Sequence, residues 1–181
     1  MTMKNALAGM LMLAVALSVA SAQQPSPAAE TTTKLGGKAV TIKYSAPSVK
    51  GRKIFNGAGA LQPDGSVWRA GANNATALHT DGDITIGNIN IPAGDYTLYV
   101  QLDPNAWKLI VSKQTGQWGI KQDGSTTLDT SKEVGRTPMK MSKPPAQVET
   151  YKMTLDSKDG KKGTLTLAWE NVVASVDIAA K

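Results

Sequence analysis

The side chains best suited to binding chemistry lie between positions 52 and 79. They supply two guanidiniums, two carboxamides, an indole, a hydroxyl and an imidazole, from Arg52, Trp68, Arg69, Asn73, Asn74, Thr76 and His79. Paired guanidiniums beside carboxamides suit a carboxylate, a phosphate or a sugar acid, and the indole would supply an apolar wall. The alternative is structural, because arginine often stacks on tryptophan and asparagine often closes turns. The cluster therefore predicts either a ligand site or a set of contacts that fasten loops.

A catalytic role would depend on His79 or Glu170. His79 is the only histidine, and the chain has no G-x-S-x-G motif to present a nucleophile. On a strand over residues 75–80, His79 would alternate with Leu78 and face away from the core. Glu170 could pair with another acid for glycoside cleavage, or form an ion pair with one of the two arginines. We expect no catalytic residue, and a hydrolase of glycan or ester substrates is the alternative.

The tryptophans divide into two groups. Trp107 and Trp169 lie in apolar alternation and are predicted to pack in the core, since the chain has four tryptophans and one phenylalanine. Trp118 stands between Gln117 and Gly119 and is predicted to be exposed or at the rim of a site. We therefore add Trp118 to the candidate ligand-binding residues.

Metal and cofactor sites are not predicted. Asp81-Gly82-Asp83 offers two carboxylates, but a calcium loop needs further oxygen ligands at fixed spacing, so an Asp-Gly turn is the preferred interpretation. Met139, Met141 and His79 could act as soft ligands for copper, but two thioethers and one distant imidazole are too few to predict a copper site.

Composition excludes several classes of function. The chain has 181 residues, no cysteine and a formal net charge of +6. The absence of cysteine excludes disulfides, thiol catalysis and zinc–thiolate sites. The basic residues are spread along the chain rather than gathered in a stripe with aromatic residues, so nucleic acid is not an expected partner.

Short segments with apolar residues at every second position recur along the chain, as in half-buried strands. Nine can be recognised, at about residues 40–45, 75–80, 84–86, 89–91, 96–101, 107–112, 148–155, 164–169 and 176–178. Turns containing Gly, Pro or Asn separate them. The pattern predicts an all-β protein, an antiparallel β-sandwich or small barrel of about eight or nine strands.

Two turns support this fold class. Gly87-Asn88 is a two-residue hairpin signal between alternating isoleucines. Pro92-Ala93-Gly94 leads into Tyr96, an arrangement typical of a sandwich corner in which the tyrosine hydroxyl binds nearby backbone. The stretch 123–145 is predicted to be the one long irregular segment.

The N-terminus has the pattern of a secretory signal peptide. Lys4 precedes an apolar run over residues 6–20, and Ala20-Ser21-Ala22 matches a cleavage site. The run is short for a membrane span, although an N-terminal anchor is the alternative. We predict a signal peptide over 1–22, a disordered linker over 23–37 and a single β-sandwich domain over 38–181. The expected location is periplasmic or secreted, with no transmembrane segment after cleavage.

The sequence also resembles a known protein family. The resemblance runs from about Lys38 to Ile178. It rests on Tyr44-Ser45-x-Pro47, Lys50-Gly51-Arg52-Lys53-Ile54-Phe55, Val67-Trp68-Arg69-Ala70-Gly71-Ala72-Asn73-Asn74-Ala75-Thr76, Pro92-Ala93-Gly94-x-Tyr96, Gly116-Gln117-Trp118-Gly119 and Leu165-Thr166-Leu167-Ala168-Trp169-Glu170. These blocks are similar to the exported bacterial family catalogued as domain of unknown function 2911. The resemblance implies a secreted or periplasmic β-rich domain and assigns no activity.

Together these observations predict a non-catalytic binding or interaction module of the bacterial envelope. Its ligand would be a small polar or anionic molecule or a protein partner. The candidate site residues are Arg52, Trp68, Arg69, Asn73, Asn74, His79, Trp118 and Glu170. A purely structural domain is the third possibility, beside the hydrolase.

Export with cleavage after Ala22 makes Gln23 the first residue of the mature protein. Intact-mass measurement and N-terminal sequencing of protein from the periplasm or medium of an expressing bacterium would test this. A mature chain that retains Lys4 would contradict cleavage and support the N-terminal anchor.

Overall fold

The computed structural model describes residues 25–104 and 106–181, and nearly all of its regular structure is β. The predicted signal peptide lies outside the described residues. The only helical element among them is a 3-10 turn, Thr130–Lys132. None of the described helical structure is long and apolar enough to cross a membrane.

The first sheet has seven antiparallel strands. Its order is β1-β2-β4-β7-β8-β9, and β3 pairs separately with β7. The bounds are β1 Ala28–Leu35, β2 Lys38–Ser45, β3 Val67–Trp68, β4 Thr76–Thr80, β7 Gly94–Gln101, β8 Lys108–Ser112 and β9 Glu133–Pro138.

The second sheet has six antiparallel strands and packs against the first. Its order is β11-β12-β13-β5-β6, with β10 paired to β13. The bounds are β5 Ile84–Ile86, β6 Ile89–Ile91, β10 Lys140–Ser142, β11 Val148–Ser157, β12 Lys162–Glu170 and β13 Val172–Ala180. The predicted antiparallel sandwich is therefore confirmed, and the two sheets do not close into a barrel.

The described residues form thirteen strands rather than eight or nine. All nine predicted segments are strands, and the four additional ones are β1, β3, β9 and β10. All four are at sheet edges or only two or three residues long, where pairing rather than hydrophobic alternation defines the strand.

The prediction of a disordered linker over 23–37 is wrong for β1. Residues at every second position of β1 are partly or fully buried, and Leu35 is completely buried. The inward-facing residues before Leu35 are Ala and Thr, which carry too little apolar surface to give a clear alternating signal. The β1–β2 turn is Gly36-Gly37, and both glycines have positive φ (59° and 77°), as a two-residue hairpin requires.

The stretch 123–145 is also less irregular than predicted. It contains the 3-10 turn, β9 and β10. Gly135 and Pro138 interrupt the hydrophobic pattern of β9, but β9 still pairs with β8, with Thr137 opposite Leu109. Proline is tolerated there because β9 is an edge strand.

Both predicted turns are confirmed. Ile86 and Ile89 are paired across Gly87-Asn88. The Tyr96 hydroxyl donates to the Pro92 carbonyl at 2.9 Å while its ring is buried. Gly87 has φ +55°, and a Cβ there would collide with Thr137, so glycine is required on both counts.

One hydrophobic core lies between the sheets. An aromatic cluster within it consists of Phe55, Trp68, Trp107, Tyr151 and Trp169. Phe55 contacts Trp107 edge-on, with the ring centroids 4.7 Å apart, and Trp68 stacks on Trp169 at 5.8 Å. The predicted core positions of Trp107 and Trp169 are confirmed, since both are at most 5% exposed.

Side-chain hydroxyls join the two sheets at the β11 edge. The Tyr44 hydroxyl accepts a hydrogen bond from the Met153 amide at 3.0 Å, and the Thr31 hydroxyl accepts one from the Leu155 amide at 3.1 Å. These bonds satisfy amides of an edge strand, which would otherwise be available for pairing with another chain.

Loss of the hydroxyl should affect the free energy of unfolding differently at the two neighbouring tyrosines, Tyr44 and Tyr151. The Tyr151 hydroxyl is buried and has no hydrogen-bond partner among the residues that the structure describes, and burial raises its pKa well above the ordinary value. An unsatisfied buried polar group costs about 1–3 kcal/mol, so we expect Tyr151→Phe to leave the free energy of unfolding unchanged or to raise it. Tyr44→Phe, the matched control, leaves the Met153 amide unpaired and should lower it by about 1–3 kcal/mol.

Urea denaturation of the wild type and both variants measures this difference. A loss in Tyr151→Phe as large as in Tyr44→Phe would mean that a buried water satisfies the Tyr151 hydroxyl.

Candidate functional site

A cleft of about 540 Å³ lies beside the aromatic cluster, formed by the chain after β2, strand β3 and the loop after β8. This volume is in the range of small-molecule sites. Its lining combines the faces of buried tryptophans with cationic and amide side chains. It includes Arg52, Leu61, Trp68, Arg69, Asn73 and Trp169. Four of the eight predicted site residues therefore share one cleft: Arg52, Trp68, Arg69 and Asn73.

Arg52 is held by its own loop. The turn Val49–Arg52 has positive φ at Lys50 and Gly51 (47° and 69°), and the Arg52 amide bonds the Val49 carbonyl. The guanidinium folds back on the same turn. Nε donates to the Val49 carbonyl at 3.0 Å and Nη2 to the Ser48 carbonyl at 2.6 Å. Nη1 has no hydrogen-bond partner among the described residues.

Arg69 is held by the loop after β8. Nη1 donates to the Trp118 carbonyl at 3.1 Å, and the guanidinium carbon lies 5.2 Å from the centroid of the Trp118 ring. Gly119 makes this approach possible, because a Cβ there would lie 2.7 Å from the Arg69 Cβ. Burial lowers the pKa of Arg69, but a guanidinium starts from so high a value that it stays charged. Trp118 is 52% exposed, which confirms its predicted surface position.

The block from β3 to β4 is a tightly bonded turn. Ala70 and Asn73 both adopt positive φ (54° and 55°), which is uncommon for residues other than glycine. The Trp68 indole donates to the Gly71 carbonyl at 3.0 Å, and the Thr76 hydroxyl to the Ala70 carbonyl at 2.8 Å. Backbone strain of this kind persists only where surrounding contacts hold it.

Asn73 fastens this turn to the neighbouring strands. Its amide nitrogen donates to the Ser26 carbonyl at 2.9 Å and to the Ser45 hydroxyl at 3.1 Å. Both hydrogens of the amide are therefore used within the fold. Asn73 lines the cleft, but its amide nitrogen has a structural role there.

Glu170 does not line the cleft but binds the backbone of a loop that does. It is 7% exposed, has φ +53° at the β12–β13 turn, and accepts a hydrogen bond from the Ile54 amide at 2.9 Å. Its carboxylate binds this amide rather than Arg52 or Arg69, so the ion pair considered from the sequence is not formed. Glu170 instead anchors the loop that carries Arg52.

His79 and Asn74 lie away from the cleft. Both line a second groove of about 540 Å³ on the outer face of the first sheet. Leu78 is buried and His79 is exposed, which confirms the predicted orientation. His79 Nδ1 lies 2.7 Å from Asp95 Oδ1, and Nε2 lies 3.0 Å from Asp81 Oδ1. Both ring nitrogens are thus occupied, and neither is available to activate a nucleophile.

The charge of the cleft is one-sided. The described residues that line the cleft include Arg52 and Arg69 but no aspartate or glutamate. Backbone carbonyls orient these guanidiniums without neutralising their charge. An anion in the cleft would meet two cations and no carboxylate among the described lining residues, since the Glu170 carboxylate is buried and bonded to the Ile54 amide.

Comparison with known proteins identifies the family. The chain matches the family described as protein of unknown function (DUF2911) over residues 26–178. The chain belongs to this family. Neither a curated protein nor a solved structure matches it. The family match covers every candidate site residue and all of the sandwich except the last two residues of β13.

Within this family fold, the described residues contain no group of three or more His, Cys, Asp or Glu side chains placed to hold a metal ion. The carboxylates of Asp81 and Asp83 form hydrogen bonds within the fold. Asp81 binds His79, and Asp83 accepts a hydrogen bond from the Ala93 amide at 2.9 Å.

Sequence reasoning missed Leu61, Gln62 and Ser66, which also line the cleft. They lie in a connector rich in Gly and Pro that has no periodic pattern. The available signal was Leu61, a single large apolar residue in an otherwise small or polar stretch.

His79 should titrate above its ordinary pKa of about 6.5. The hydrogen bond to Asp95 raises its pKa most, followed by the one to Asp81. Protonated His79 should therefore stabilise the fold below the unfolded pKa, and that contribution should be lost as pH rises through the folded value. An NMR titration of the imidazole should show a larger downward shift in Asp95→Asn than in Asp81→Asn. An unshifted pKa in the wild type would contradict the two bonds.

Proposed function

We propose that this protein is a non-catalytic binding module that holds a small anionic ligand in the cleft at Arg52 and Arg69. The observation that carries the proposal is the pair of oriented guanidiniums in a cleft with no acidic side chain among its described lining residues. Charge-assisted hydrogen bonds from arginine to carboxylate or phosphate are among the stronger ones available to proteins.

The orientation of the two arginines supports a binding role. A long side chain that is ordered only on binding loses conformational entropy at that moment. Arg52 is already fixed by two backbone carbonyls and Arg69 by one carbonyl and the Trp118 ring. Nη1 of Arg52 and both Nε and Nη2 of Arg69 have no partner among the described residues. These donors can therefore meet an anion at small entropic cost.

The alternatives have less support in this geometry. A hydrolase needs an acid or base within reach of its substrate, but Glu170 is bonded to the Ile54 amide and His79 lies in the other groove. A purely structural domain accounts for the carbonyl bonds of the arginines. It does not account for their remaining donors or for the open cleft.

We also propose that the module works in the cell envelope or outside the cell, after removal of residues 1–22. The N-terminal pattern supports this location.

Titration of ¹⁵N-labelled mature protein with acetate and with inorganic phosphate tests the binding proposal. We expect at least one of them to shift Arg69 and cleft-loop resonances in a saturable way that weakens with added salt. Arg69→Gln should weaken this binding by about tenfold, the loss of roughly one charge-assisted hydrogen bond.

Arg136→Gln is the matched control. It removes the same charge, but Arg136 binds Glu133 and Gln101 and does not line the cleft. Equal weakening by the two variants would mean that the anion is attracted only by the net charge of the protein, and this would overturn the proposal. The absence of saturable shifts with both acetate and phosphate would also overturn it.

A further inference from the structure

One exposed apolar side chain lines the cleft, and a second contacts an arginine that lines it. In the described part of the chain, Leu61 and Trp118 are the large hydrophobic residues that are substantially exposed, at 45% and 52%. Single exposed apolar residues are ordinary on a protein surface. The informative feature is their placement, since Leu61 lines the cleft and Trp118 holds Arg69 through its carbonyl and its ring.

The exposure of Leu61 is fixed by the backbone. The Leu61 amide bonds the Lys53 carbonyl at 3.0 Å, and the Gln62 amide bonds the Ile54 carbonyl at 2.8 Å. Ile54 is completely buried, and its amide is held by the buried Glu170 carboxylate. The loop that presents Leu61 is therefore tied to the core immediately before and after the exposed side chain.

The floor of the cleft is apolar as well. Trp68 and Trp169 line it but are at most 3% exposed, so its accessible apolar surface comes from Leu61, Val67 and Ile120. A small inorganic anion would meet the guanidiniums and leave this surface in contact with water. A neutral apolar molecule would cover the surface and leave the guanidiniums without a partner.

We propose that the ligand is an organic anion with an apolar body, such as a carboxylate that carries an acyl or aryl group. Its charged head meets Arg69 and Arg52, and its body lies against Leu61, Val67 and Ile120. This inference rests on the proposed function, because it assigns the chemical class of the ligand of the same cleft.

Three probes separate the two parts of such a ligand. Acetate carries the charge alone, hexanamide the apolar chain alone, and hexanoate both. Hexanoate should bind the wild type at least about tenfold more tightly than either of the others, since burial of about two methylene groups is sufficient for that ratio. Dissociation constants from NMR titration of the mature protein measure it.

Variants of Leu61 and Arg69 assign the preference to residues. Leu61→Ser should reduce the ratio of hexanoate affinity to acetate affinity by about threefold or more. Leu61→Met, which keeps an apolar side chain of similar volume, should retain the ratio. Arg69→Gln should weaken acetate and hexanoate alike. Thermal unfolding confirms that each variant is folded.

The outcomes distinguish the inference from the proposed function. Equal binding of acetate and hexanoate, both sensitive to Arg69→Gln, would overturn the apolar body and keep the anion site. A hexanoate preference unchanged in Leu61→Ser would also overturn the inference. Hexanamide binding as tight as hexanoate, insensitive to Arg69→Gln, would overturn both.

Discussion

The packing of five aromatic rings at one end of the sandwich supports the rest of this structure. Trp68 comes from the first sheet, Tyr151 and Trp169 from the second, and Phe55 and Trp107 from connecting segments. Edge-on and stacked contacts join them at centroid distances of 4.7 to 5.8 Å. Because the chain has no cysteine, burial of such large side chains replaces covalent bonds in fixing the loops at this end.

The cleft follows from that packing. Trp68 and Trp169 are buried core residues that also line the cleft. Glu170, immediately after Trp169, holds the Ile54 amide, and Phe55 enters the aromatic cluster directly after Ile54. The loop with Arg52 and Leu61 is therefore fixed to the core, and the cleft has rigid walls. Rigid walls favour recognition because little ordering remains to be done on binding.

The electrostatics of the two concave surfaces differ for a physical reason. In the cleft, the arginines are held by neutral carbonyls, so their charge remains available to a ligand. In the outer groove, His79 is held by two carboxylates, so its charge is already balanced. Residues close in the sequence thus have different chemical environments, because strand β4 carries His79 away from the turn that holds Arg69 and Asn73.

Much of the fold could be predicted because its determinants are local. Period-2 alternation, the Gly87-Asn88 hairpin and the Tyr96 corner depend on residues a few positions apart, and the match to one family agrees with them. Strands β1 and β9 could not be predicted, because their Thr, Ala, Gly and Pro residues give no clear alternation of apolar and polar side chains. They are defined by pairing with β2 and β8, which no local pattern records.

The sequence by itself therefore determined the fold class, the candidate arginines and the exposure of Trp118 and His79. Tertiary structure decided which of these residues share a site. It brought Leu61 and Arg52 from one loop, Arg69 from another and Trp169 from the opposite sheet to a single cleft. It also directed Glu170 to the Ile54 amide. The physical reason is that side-chain periodicity is set within a strand, whereas a cleft is set by loops packed on a shared core.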